Sequence, residues 1–178
     1  MKITKDIIYV GVDDHEIDLF EGQYNVSEGM AYNSYLISDE KIAVTDSVAE
    51  GFGEKWIGNI NAALGGKTPD YLIVHHMEPD HSANIDLFMT EFPEAKIVSS
   101  AKAFTMMGNF LNNTYEDRQI VVKEGDILEL GSHSLTFIAA PMVHWPEVML
   151  SYDKTDKALF SADAFGKFGA NDVYDGDW

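Results

Sequence analysis

Four mostly apolar residues, Tyr71-Leu72-Ile73-Val74, run without a break into His75-His76-Met77-Glu78-Pro79-Asp80-His81, and a helical pattern opens at Ser82. A buried strand that delivers its polar groups at its C-terminal end, just ahead of a helix, is how α/β folds place functional groups along a sheet edge. Short alternating or β-branched runs recur at Asp6–Val12, Ser34–Ile37, Ile42–Thr45, Lys96–Val98, Gln119–Val122, Ile127–Leu130, Ser134–Ile138, Val148–Tyr152 and Ala158–Phe160. With Tyr71–Val74 they predict about ten strands. Helical patterns cover Glu54–Leu64, Ala83–Phe92 and Ala101–Leu111, the first closed by Gly65-Gly66 and the second followed by Pro93. Ser38–Lys41, Lys123–Asp126 and Asp153–Asp156 read as hairpin turns. The order is a β-rich start, two β-α units and then hairpins, with neither repeat nor linker. It predicts a single α/β (α+β) domain in which a mixed sheet is layered with helices.

Composition narrows the chemistry. At 178 residues with 46% apolar side chains the chain can build a real core. A net charge of -18, from 12 basic and 30 acidic residues, argues against nucleic acid and against an anionic membrane surface as partners. The sequence holds no cysteine, so disulfides, thiolate zinc sites, iron–sulfur clusters and cysteine nucleophiles are excluded. The first residues, MKITKDIIYVGV, lack a basic region followed by a long apolar run, and a cytoplasmic location is the expectation.

Any metal must then be held by imidazole and carboxylate. His76, Glu78, Asp80 and His81 fall within six positions, with Pro79 stiffening the loop between them. One ion cannot easily use four such close neighbours, but two ions can: His76 and Glu78 facing one, Asp80 and His81 the other. The plain reading is a solvated loop with Asp80 or Ser82 capping the next helix. So dense a polar cluster after a buried strand is costly unless something compensates it. His144 stands in a loop fixed by Pro141 and Pro146 after another apolar strand, and Asp163 follows the strand Ala158–Phe160. Taken alone, His144 reads equally as a packed structural histidine and Asp163 as a turn residue. Their shared position at strand ends favours the metal reading, with Asp163 able to bridge two cations. A carboxylate-rich, thiolate-free set suits iron or manganese better than zinc.

The loop His76-Met77-Glu78-Pro79-Asp80-His81 resembles that of the metallo-β-lactamase superfamily, in the variant with glutamate for the second histidine that marks flavodiiron proteins. The likeness continues through Val10–Asp13, Ala31–Ile37, Val44–Ser47, Met142–Pro146 and Phe160–Gly166. It implies a metallo-β-lactamase-like αββα sandwich, of which residues 1–178 hold the N-terminal two-thirds. It also implies one iron on His76, Glu78 and His144, a second on Asp80 and His81, and Asp163 bridging them. A further histidine on the second iron would complete the family pattern; it would lie beyond Trp178, as would the flavodoxin-like FMN domain. Asn171–Trp178 reads as an exposed acidic loop, so a truncated, nicked or split chain, or a companion polypeptide with the remainder, is expected. His75 stands where asparagine is usual.

The family's chemistry is reduction of O2 to water, of NO to N2O, or both, with rubredoxin or a similar donor and a head-to-tail homodimer that sets FMN beside the irons. A di-iron oxygen sensor without turnover, a zinc hydrolase and a purely structural metal domain are the alternatives, and Glu78 argues against the hydrolase. Asp46, Tyr32 and Trp145 are outer-shell candidates, though each also reads as core or turn. His15 and His133 stand alone beside turn signals, where exposure is the default. Asp13, Asp14, Glu16 and Asp18 read as a solvated acidic edge.

Overall fold

The computed structural model describes residues 1–111 and 113–171; the segment 172–178, most of the expected acidic loop, lies outside the described residues. Six strands make the first sheet, in the order β1 (Ile7–Tyr9), β6 (Tyr35–Ile37), β7 (Ala43–Thr45), β8 (Tyr71–Ile73), β9 (Lys96–Ser100) and β10 (Gln119–Val122). β1, β6 and β7 are antiparallel, whereas β7 through β10 are parallel. Parallel neighbours need crossovers. These are α1 (Gly53–Leu64), then α2 (Pro79–Ser82) with α3 (Ile85–Glu91), then α4 (Ala101–Phe110). The second sheet is an antiparallel meander of β11 (Ile127–Glu129), β12 (Ser134–Ala139), β13 (Met149–Asp153) and β14 (Ala158–Phe160).

The period-two alternation of the strands builds two cores from one sheet. Leu72, Val74 and Ile97 face the helices, where they pack with Trp56, Ile60, Phe88 and Met107. Ile73 and Val98 face the other way and meet Leu135, Phe137 and Met149 of the second sheet. The layers are therefore helix, sheet, sheet; among the described residues no second helix layer covers the meander. α1 shows why the helices lie where they do. Trp56, Ile57, Ile60 and Leu64 fall on one buried face, and Gly65, left-handed at φ 59°, ends the helix. No helix among the described residues is long and apolar enough to cross a membrane.

Three sequence expectations need correction. The described residues hold fourteen strands, not about ten. The segment 6–12 breaks because the Val10 and Gly11 N–H groups both donate to the Ser34 carbonyl, so β1 stays on β6 while β2 (Val12–Asp14) leaves to pair with β5 (Met30–Tyr32). A small hairpin of β3 (Leu19–Phe20) and β4 (Tyr24–Asn25) lies between them in sequence. The helical stretch 83–92 is α3 alone, Ile85–Glu91, with the short α2 already formed before it at Pro79–Ser82, and the turn 123–126 is not a hairpin, since it carries the chain from the first sheet to the second.

Candidate metal centre

Topology brings the loops together. β7 and β8 run parallel, so Asp46 and the His75–His81 segment leave the first sheet side by side. β12 and β14 both run against β13, so their C-terminal ends, leading to His144 and Asp163, share one edge of the second sheet. The Met149 N–H donates to the His75 carbonyl at 3.1 Å and locks the two edges together.

All six expected residues converge there. His76 Nε2 lies 3.0 Å from Glu78 Oε2 and 3.4 Å from both His144 Nε2 and Asp163 Oδ2. His144 Nε2 is 2.8 Å from the same Glu78 oxygen and 3.2 Å from Asp163 Oδ2. The other Asp163 oxygen, Oδ1, is 2.7 Å from His81 Nε2, which is 3.6 Å from Asp80 Oδ2. The donor atoms thus form two groups, His76/Glu78/His144 and Asp80/His81, joined by Asp163.

The arrangement fits cations. His76 Nδ1 is 2.8 Å from the fully buried Glu147 carboxylate, which orients the ring so that Nε2 points into the cluster. Two imidazole nitrogens at 3.4 Å, ringed by carboxylate oxygens, satisfy that ring of acceptors only when both carry protons, a place that cations can take. Asp80 Oδ1 and His81 Nδ1 are buried without a hydrogen-bond partner. The donor set is imidazole and hard oxygen, suited to iron or manganese.

Charge follows the same logic. Burial by itself disfavours the Glu78 and Asp163 carboxylates, but hydrogen bonds from His76 to the first and from His81 to the second outweigh it and hold both at about 2. Burial likewise disfavours the His81 imidazolium, yet the Asp163 hydrogen bond and the charges of Asp80 and Asp46 raise it to about 10. Burial raises Asp80, and the neighbouring Asp163 and Glu78 charges add to it. A proton on His81 takes the electrostatic place of a cation.

Around the cluster stand supports that the sequence only partly disclosed. His75 is not in it: Nδ1 is 2.8 Å from Asp46 Oδ2 and Nε2 is 2.8 Å from Ser151 Oγ. This chain of Asp, His and Ser has the connectivity of a nucleophilic triad, but Ser151 and His75 are 0% exposed and no substrate reaches them. It is a strut between β7, β8 and β13. Burial would raise the Asp46 carboxyl; the His75 ring and backbone N–H prevail and lower it. Trp145 sets its ring edge-on to His76, 5.3 Å between centroids at 89°. Tyr32 is buried with its hydroxyl donating to Asp14 at 3.2 Å, so Asp14 belongs to the interior and not to a solvated acidic edge. Glu147 was not foreseen; the one signal for it was an acidic residue directly before an apolar strand. His15 is exposed as expected, whereas His133 is buried, against expectation. Above the cluster opens a cavity of about 380 Å³, walled by Phe20, Tyr24, Tyr32 and Phe168 and reached by Glu21.

A family model described as "ODP family beta lactamase" matches residues 30–175. The nitric oxide reductase of Moorella thermoacetica is 36% identical over 172 residues, covering 96% of this chain and 43% of that protein. Among solved structures, the flavodiiron protein of Giardia intestinalis superposes with a TM-score of 0.86 at 32% identity, covering 96% of this chain and 41% of its own. The rubredoxin oxygen:oxidoreductase of Desulfovibrio gigas gives 0.87 at 31% identity, covering 96% and 42%. This chain spans less than half the length of each.

Proposed function

Because the chain belongs to the ODP family of β-lactamase-like domains, and flavodiiron proteins match it across nearly its whole length, we propose that it is the metal-binding part of a flavodiiron oxidoreductase that reduces O2, NO or both. His76, Glu78 and His144 would hold one iron, Asp80 and His81 would hold the second, and Asp163 would serve both. The observation that carries this reading is the pair of donor groups sharing one carboxylate, with the Nε2 atoms of two imidazoles turned inward. Two ferrous ions, once bound, supply a pair of electrons to a diatomic gas.

The protein's own residues do the rest. Glu147 orients the His76 ring, and the Asp46–His75–Ser151 strut keeps the ligand loop on its strand. Trp145 packs edge-on against the His76 ring, and aromatic side chains wall the cavity that opens onto the cluster. Glu78, in place of a neutral ligand, adds negative charge that favours the oxidised ion. In this reading the remaining ligand to the second iron, an FMN domain that returns the electrons and a rubredoxin-like donor come from polypeptide outside the described residues, in a head-to-tail dimer.

The test is metal analysis of protein purified without oxygen, with intact masses of every polypeptide that co-purifies, followed by O2 and NO consumption. Two irons per chain and gas consumption with the complementing polypeptide support the reading. Two zincs with esterase activity would overturn it in favour of a hydrolase. Gas held but never consumed would identify a sensor.

A further inference from the structure

Asp163 follows β14, and the chain after it, residues 164–171, is tied to the N-terminal hairpins, which carry none of the six candidate ligands. The Ala170 N–H donates to the Glu28 carbonyl at 3.0 Å, the Asn171 N–H to Asp13 Oδ1 at 2.8 Å, and Asn171 Nδ2 to Asn33 Oδ1 at 3.0 Å. Nearer Asp163, the Phe168 ring rests against two others. Its centroid is 5.6 Å from that of Phe20 on β3 and 5.5 Å from that of Tyr24 on β4, with tilts of 49° and 39°. Both distances are favourable for aromatic pairs. All three rings line the same cavity as Asp163.

The backbone between β14 and these contacts is unusual. Ala162 and Phe165 lie at φ 49° and 67°, the left-handed region that side chains other than glycine disfavour, and Phe165 is 88% exposed. Strain of this kind persists only where the surroundings fix it. The Gly166 N–H closes a turn on the Asp163 carbonyl at 3.1 Å, so the place of residues 166–168 governs the place of Asp163. Its carboxylate meets the imidazoles of His76, His81 and His144, and can do so only while the backbone is held beside them. The hairpin depends on the contact in turn. β3 and β4 form a two-stranded sheet of their own, two residues each, and such a pair is marginal without packing.

We propose that Phe168 is a positioning residue for Asp163: its contacts with Phe20 and Tyr24 hold the strap 164–171 beside the cavity and keep the shared carboxylate within reach of both donor groups. The role rests on the reading of the cluster as a two-metal site. It gives the β3–β4 hairpin a task in that site although no candidate ligand lies on it.

The experiment loads chelator-stripped protein, with any polypeptide that co-purifies, with Mn²⁺. Ions per chain, affinity by chelator competition and the electron paramagnetic resonance spectrum are recorded for wild type, Phe168→Ala, Phe168→Tyr and Tyr24→Ala. Two Mn²⁺ that share a carboxylate couple their spins, and ions held apart do not. Wild type and Phe168→Tyr are expected to show the coupled signal, whereas Phe168→Ala loses it and binds the ions about 10-fold more weakly. Tyr24→Ala removes the second ring from an exposed hairpin; it is expected to lose the signal too, and it decides the matter if Phe168→Ala does not fold. A coupled signal and wild-type affinity in the alanine variants would overturn the proposal, whatever happens to Tm, and leave Phe168 as surface packing. Wild type without two coupled ions would overturn the two-metal reading itself and this role with it, a failure told apart because it precedes any substitution.

Discussion

Glu147 carries a carboxylate to a place that water does not reach, and holds His76 and the Met77 N–H with one oxygen. Its second oxygen is buried without a partner, a cost that makes sense only if orienting His76 matters. Glu147→Gln is expected to weaken metal binding by about 10- to 100-fold, read by competition with a chromophoric chelator. The cluster also titrates. His81, raised to about 10, must lose its proton before it can ligate, so metal affinity is expected to climb with pH through the neutral range and metal uptake to release protons. Calorimetry in buffers of different ionisation enthalpy measures that release. In the metal-free protein the sign is opposite for stability. A raised imidazole stabilises the fold fully below its unfolded value of about 6.5, and that contribution fades as pH rises toward about 10. The Tm of stripped protein should therefore fall across this window more than that of loaded protein. At this scale the convergence of the six residues was legible because histidine and carboxylate in so dense a cluster have few other uses. Glu147 and the Asp46–His75–Ser151 strut were not, since their roles exist only once two sheets meet.

Elements depend on a few local devices. Ser100 is the N-cap of α4: its Oγ accepts from the Ala103 N–H at 3.1 Å and donates to the Glu147 carbonyl at 3.3 Å. Ser100→Ala should cost about 1 kcal/mol in chemical denaturation, and it also frees the backbone that carries Glu147. Gly11 lies where β1 gives way to β2, and a Cβ there would sit 2.2 Å from the Tyr32 carbonyl oxygen. Backbone cannot yield as a side chain can, so Gly11→Ala should destabilise by about 1–3 kcal/mol and displace the strand that carries Tyr32 into the cavity wall. Periodicity located nearly every element that faces a core, because burial imposes the pattern. It failed at Val10-Gly11, where two N–H groups share one carbonyl, at β3 and β4, two-residue strands too short to show alternation, and at β5, whose three residues end just before the Ser34–Ile37 run.

Across the whole molecule the first sheet is a wall between two interiors, and damage on either side is felt at its edge. Phe88 is 0% exposed and packs with Trp56, centroids 5.6 Å apart. Phe88→Ala should cost about 3–5 kcal/mol and lower Tm without touching a ligand. The α/β class and the helices could be read from strand and helix order, whereas the partition into two sheets could not. The turn 123–126 looks like a hairpin in sequence, and only packing sends β11 to a different sheet from β10. The shared Asp163 has a consequence in time. Its side chain is 36% exposed, on a loop, and one oxygen serves each half of the cluster. A first ion would pin that carboxylate and so prepare the berth for its neighbour, while departure of either would loosen the other. Without the complementing polypeptide, the half with three further donors among the described residues should keep its ion far longer than the half with two. Exchange against an iron isotope would then show two phases, one leisurely and one quick, and partly loaded molecules would all be occupied on the same side.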